Sequence, residues 1–286
     1  MKGGSGLQPD GCLLLSRVLE ERRRTFVLQL ARCKRRATEP VIHDLRVATR
    51  RLIAAMDLAD SIVSDDGGRP ERKALRKYLK GFNALRDVHV QLLALRKMQR
   101  SFRSLGAYRN SLRLRERQLL RETGKRCAAL KTEALNCRVQ DLQNALMAIG
   151  AHPALAAAAR VAILGTAARA FARVAAMRQS ISPDDPRTIH RLRVAFKKFR
   201  YGLEILVPLL PWVTPAVRKA MNSFQTAMGE VQDNEVFLAA VNAWAALPRR
   251  VPGPSLLDAR EFLARRKREA IGAFLQKADE AYGFWR

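Results

Sequence analysis

An all-α fold follows from three features of the sequence. Runs rich in Ala, Leu, Arg, Glu and Lys place apolar residues at helical spacing, the runs stop at short Gly, Pro or Asp breaks, and strand-like alternation is absent. At 286 residues with 48% apolar content, the chain can bury a substantial core. Breaks at residues 38–40, 64–70 and 103–107 divide the first half into roughly four helical segments. The first precedes residue 38, the second carries a His/Arg motif, the third is a long helix ending near the recurring aspartate, Asp87, and the fourth runs to a break at 150–153. The second half repeats this order, with breaks at 182–186, 208–215 and 248–254.

The repetition reaches individual residues. His43-Asp-Leu-Arg-Val-Ala-Thr-Arg-Arg-Leu recurs 147 positions later as His190-Arg-Leu-Arg-Val-Ala-Phe-Lys-Lys-Phe. Arg72-Lys73 followed by Leu85-Arg86-Asp87-Val88 recurs 146 positions on as Arg218-Lys219 followed by Val231-Gln232-Asp233-Asn234. Two pieces in one order argue for two homologous halves, residues 11–150 and 151–286. Short connections favour antiparallel neighbours, so each half is expected to form a four-helix bundle. No long linker separates the halves near Gly150, and they are expected to pack as one unit over 1–286.

Fifty-three Lys and Arg residues against 26 Asp and Glu give a formal net charge of +27. Such a surface attracts polyanions and repels its own copies, leaving the oligomeric state open. Nucleic acid, an anionic membrane surface and inorganic polyphosphate all satisfy the charge. Cys12, Cys33, Cys127 and Cys137 have neither zinc-site spacing nor disulfide-scaffold density, so free thiols in a reducing compartment are expected. Met1 to Gln8 is Gly-rich, Leu13-Leu14-Leu15 is too short for a signal-peptide core, and no stretch approaches the roughly 20 apolar residues of a membrane span. The expectation is a cytoplasmic protein without a membrane span.

At about 100° per residue, the motif histidine, the arginine three residues on and the cation seven residues on form one stripe. In the second copy Tyr201 and Glu204 continue it, with Lys198 and Arg200 on its flanks. Leu192, Ala195, Phe196, Phe199, Leu203 and Leu206 fall on the opposite side. The first copy sets Leu45, Ala48, Leu52, Met56 and Ala59 inward and His43, Arg46, Arg50 and Asp57 outward. Val47 and Val194 interrupt the polar flank. A solvated face explains one such stripe readily. It gives no reason for the same residue types to recur at the same spacing. A salt-bridge seam between the halves would, and stays open as a structural alternative.

The stripe suits oligophosphate. Arginine offers a planar fork of donors, lysine a mobile point charge, and histidine a hydrogen bond that gains charge as pH falls. Two stripes face to face would line a groove.

The double motif, with Leu85-Arg-Asp-Val and Val231-Gln-Asp-Asn, resembles the CHAD family, the conserved histidine α-helical domains, over most of the chain from Leu13 onward. The resemblance implies two four-helix bundles related by a pseudo-twofold axis and a basic central surface that binds inorganic polyphosphate. Family members occur alone, fused to triphosphate-tunnel domains, or with polyphosphate granules; this length implies a stand-alone member. Carried over by position, the implied binding residues are His43, Arg46, Arg50 and Arg51, with His190, Arg193, Lys197, Lys198, Arg200 and Tyr201. Ile53 stands where family first copies often have a cation, whereas the second copy keeps Arg200, so the second wall is expected to be better equipped.

A further stripe, Lys73, Arg76, Lys77 and Lys80, lies upstream of Asp87, and only Lys219 is matched in the second half. These residues are lesser candidates for the same ligand. Arg22-Arg23-Arg24, Arg32 to Arg36 and Arg265 to Arg268 read equally as a solvated surface that assists steering. Asp57, Asp87, Glu204 and Asp233 recur, and orienting arginines through salt bridges is the preferred role over metal binding or general-base work. No metal site, cofactor or catalytic residue is expected. Nucleic-acid binding is the alternative function. Aromatic content of only 6% is low for a base-stacking surface. A phosphohydrolase would need an acidic ligand set that the sequence does not supply.

Overall fold

The computed structural model describes residues 10–63, 69–98, 102, 105–247 and 254–285. The Gly-rich Met1 to Gln8 and parts of three expected breaks lie outside them. The described elements are helical: α1 (Gly11–Arg35), α2 (Glu39–Asp60), α3 (Arg69–Lys80), α4 (Asn83–Met98), α5 (Gly106–Ala129) and α6 (Glu133–Gly150) in the first half. In the second half follow α7 (Pro153–Gln179), α8 (Pro186–Leu206), α9 (Pro215–Ala245), α10 (Pro254–Leu275) and short 3-10 turns. Local chemistry starts these helices. Asp10 accepts the Cys12 amide at 2.8 Å to cap α1; Asp185 and Thr214 cap α8 and α9, each with proline in the first turn, where no amide partner is needed.

The long helix expected to end near the recurring aspartate is broken in the first half and continuous in the second, and α4 and α9 both run past that residue, to Met98 and Ala245. A turn at Gly81 and Phe82 separates α3 from α4, whereas the matching positions in α9 are Ala227 and Met228. Glycine costs about 1 kcal/mol relative to alanine inside a helix. Two arginines then bond the carbonyls of the turn: Arg126 Nη1 donates to Gly81 O at 2.7 Å, and Arg46 Nη1 donates at 2.8 Å to Phe82 O, which also accepts the Arg86 amide at 3.0 Å. A second unexpected break, at 130–132, adds α6, so the first half holds more helices than the four expected.

Helix α1 packs along α2 and α6, α7 along α8, and α9 against α8 and α10. The halves meet through α2 with α8, α1 with α7, α6 with α7 and α4 with α9. Buried apolar side chains form a continuous cluster through both halves. Each such Leu or Phe contributes about 1.5–3 kcal/mol by leaving water. Every residue projected inward on α2 and α8 is buried. Arg46 departs from its expected outward position: it is 6% exposed, because α2 is enclosed by α1, α3, α6 and α8.

Two further expectations are refined. Helix α7 is, by length and composition alone, apolar enough to cross a bilayer, contrary to the expectation that no stretch is. Ile163, Ala167 and Val174 turn one side of it into the core against α8 and α1, while Leu155 and Val161 are exposed. The cysteines are free thiols, and two of them touch: Cys33 Sγ and Cys127 Sγ are 2.8 Å apart, with the Tyr78 hydroxyl 3.1 Å from Cys127 Sγ.

Candidate functional site

A cavity of about 760 Å³ lies between α2 and α8, bounded by α3, α4, α7 and α9. Helical period explains its two main walls. Arg46 and Arg50 are one turn apart on α2, and Arg193, Lys197 and Tyr201 follow each other at four-residue steps on α8. Arg72, Arg76 and Lys80 enter from α3 and Arg86 from α4. Among the described residues, nine Lys or Arg side chains line the cavity against two carboxylates, Asp57 and Asp87.

Those carboxylates are already engaged. Asp57 holds Arg72 at 3.0 Å and Arg76 at 2.8 Å. Asp87 takes Arg86 at 3.3 Å, while the other arm of Arg86 crosses to Asp233 on α9 at 2.5 Å. The remaining cations press on each other. Burial, then Arg50 and Arg86, lower Arg46 to about 10 despite Asp87 and Tyr201. Burial also lowers Arg50, where Tyr201 works against it and Arg86 with it. Burial and Arg86 lower Arg193, with Asp233 opposing. Lys197 falls to about 7, first through burial and then through Arg193, Arg50, Arg86 and Arg46. Arg193 Nε is buried without a hydrogen-bond partner. Desolvated, unpaired positive groups are costly alone and favourable around an anion.

The structure brings together Arg46, Arg50, His190, Arg193, Lys197, Lys198 and Tyr201 in this cavity, joined by Arg76 and Lys80 of the lesser stripe. His190 is tied through its ring nitrogen to Gln232. The expected single surface is otherwise divided. His43 is exposed and does not line the cavity. Arg51 and Arg200 open instead on a second cavity of about 430 Å³ with Arg22 and Arg218. There Glu204 takes Arg200 at 2.6 Å and Arg51 at 3.6 Å, and Arg200 stacks on Tyr201 at 4.8 Å. The reason is angular: Arg51 is about 100° from Arg50 around α2, enough to carry it past the α2–α8 contact. Lys73, Lys77 and Lys219 are exposed and line neither cavity.

Sequence reasoning missed Arg86 as a site residue. Its signal was present as the position where the repeat fails, arginine against Gln232 in the second copy. The recurring carboxylates Asp57, Asp87, Glu204 and Asp233 all hold arginines, the role preferred for them. Ion pairs of the seam alternative do cross the halves at Arg86–Asp233 and Arg51–Glu204, yet they leave the main cavity with a large excess of cations. Among the described residues, no group of three or more His, Cys, Asp or Glu is arranged to hold a metal ion.

A family model described as the CHAD domain matches residues 17–242. Two solved structures share the fold. The CHAD domain from the plant Ricinus communis is 19% identical with a TM-score of 0.65, the match covering 93% of this chain and 91% of that one. PptA from Streptomyces chartreusis is 19% identical with a TM-score of 0.60, covering 96% of this chain and 100% of that one. A search of curated proteins found no match.

Proposed function

The chain belongs to the CHAD-domain family, and from that premise we propose that it binds inorganic polyphosphate in the cavity between α2 and α8 without catalysing a reaction on it. The observation that carries this reading is the cavity's charge balance: nine cations from four helices against two carboxylates already held by arginines. A linear polyanion needs cationic stations in series, and the four-residue steps along α2 and α8 supply them. Arginine forks grip pairs of phosphate oxygens, and the mobile lysines adjust to the chain. Nucleic acid is the weaker reading, because Tyr201 and Phe199 are the aromatic side chains among the described lining and Phe199 is only 1% exposed, which leaves little platform for bases. In the cell this reading implies a cytoplasmic protein that associates with polyphosphate granules.

Competition at moderate salt tests it, with long-chain polyphosphate, RNA and DNA matched in phosphate. Polyphosphate is expected to displace both nucleic acids. Displacement of polyphosphate by RNA or DNA at equal phosphate would overturn the reading. Release of phosphate on prolonged incubation with a divalent metal would overturn its noncatalytic part.

A further inference from the structure

Lys197 occupies an unusual place in the cavity. Arg46 and Arg50 face it from α2, Arg72, Arg76 and Lys80 line the same space from α3, and Arg86 enters from α4. From its own helix come His190, Arg193, Lys198 and Tyr201, while α7 contributes Thr166, Ala167 and Ala170, which carry no charge, and α9 contributes the neutral Gln232 and Val236. The acids within reach are spoken for: Asp57 by Arg72 and Arg76, Asp87 and Asp233 by Arg86. Lys197 itself makes no hydrogen bond or ion pair among the described residues. An ammonium in that position is half-buried, surrounded by guanidiniums and unpaired.

Arginines cannot relieve this crowding, because they keep their proton throughout the working pH range. Lysine can. We infer that Lys197 is the proton-linked contact of this site: the protein alone holds it in part as the neutral amine, and a phosphate chain entering the cavity draws a proton onto it. The proposal rests on the polyphosphate reading for its ligand and adds a coupling that the reading does not require. It also adds a lysine to the motif histidines as a source of pH dependence at this cavity, which His43 does not line.

The direction of the pH effect follows from which state binds more protons. Burial, then Arg193 of the same helix and Arg50, Arg86 and Arg46 across the cavity, depress the ammonium to about 7 in the protein alone, and a bound polyanion raises it. Below pH 7 both states are charged and affinity is flat in this respect. Above pH 7 the bound state holds the extra proton, so affinity falls with rising pH by up to about tenfold per unit. The decline ends at the bound-state value. At pH 8 binding takes up roughly 0.9 proton per site, from a group about nine-tenths neutral before binding.

Calorimetry with long-chain polyphosphate at pH 6 and pH 8, in buffers of different ionisation enthalpy, measures that uptake. The wild type is expected to take up close to one proton at pH 8 and little at pH 6. Lys197→Arg, with a permanent charge at the same place, is expected to lose the uptake and flatten the affinity profile above pH 7. Binding at pH 8 without proton uptake, or uptake that survives in Lys197→Arg, would overturn the proposal. Absence of binding at both pH values would overturn the polyphosphate reading instead. The amine is then judged in the protein alone, by the carbon-13 shift of its Cε: a midpoint near 7 sustains the depressed lysine, and one near 10 sinks it.

Discussion

The two motif helices begin from nearly the same residues and serve the cavity differently. On α2 the histidine is exposed, and the first arginine is buried with one nitrogen spent on the Phe82 carbonyl. On α8 the histidine lines the cavity and is held by Gln232, and the first arginine keeps a buried, unpartnered Nε. The duplicated acids diverge as well. Asp57 anchors arginines of α3, whereas Glu204 anchors Arg200 of its own helix and Arg51 of the opposite half. The first arginine of α2 has become part of the framework, while its counterpart on α8 remains available to a ligand. Two non-repeated positions account for much of this. Gly81 in place of Ala227 lets the chain turn and present a carbonyl to Arg46, and Arg86 in place of Gln232 reaches Asp233 across the halves.

The strongest way to break this comparison is to remove both ligand-facing forks at once. Arg50→Ala with Arg193→Ala is expected to weaken polyphosphate binding at least 100-fold, at about 1.5–3 kcal/mol per charge-assisted contact. Circular dichroism should report unchanged helix content. A loss under tenfold would mean that the ligand sits elsewhere.

A stability measurement separates the two first arginines. Arg46→Ala removes a charge-assisted bond to the Phe82 carbonyl, which keeps its bond from the Arg86 amide, and is expected to lower unfolding free energy by about 1–3 kcal/mol in urea titrations. Arg193→Ala, which breaks no such bond and relieves like-charge crowding, should change it by less than about 0.5 kcal/mol. Equal losses would erase the distinction between framework and ligand wall.

Smaller effects sharpen it. Arg200→Ala, on the second cavity, should alter polyphosphate affinity by less than about threefold, the scale of a well-screened charge. A larger loss would join the two cavities into one binding track. Smallest of all, His190→Ala is expected to weaken binding by about twofold to fivefold, the worth of one modest hydrogen bond. His43→Ala should leave it unchanged within error. The reverse order would place the ligand on the outer side of α2.

Much of the fold was legible because its signals are local and periodic. Apolar spacing set the inward faces of α2 and α8, and Leu45, Leu52, Met56, Leu192, Phe196 and Leu203 are all buried as projected. The break at 130–132 carries little punctuation beyond Thr132 and was not legible, and Gly81 was too slight a signal inside a long helical run. The site was legible as a set of residue types and only partly as a place. Arg50 and Arg51 are neighbours in sequence, and the structure sends them to different cavities.

Helical class, duplication, net charge and the separation of apolar from cationic faces were determined by the sequence alone, because each depends on composition or on angular position around a single helix axis. Which cations share a cavity, which carboxylates are already held, and which lysine is left among arginines were decided only by tertiary structure. Those properties depend on how α2 crosses α8 and on what α3, α4 and α9 bring to the crossing. A helix's own period carries no record of its neighbours.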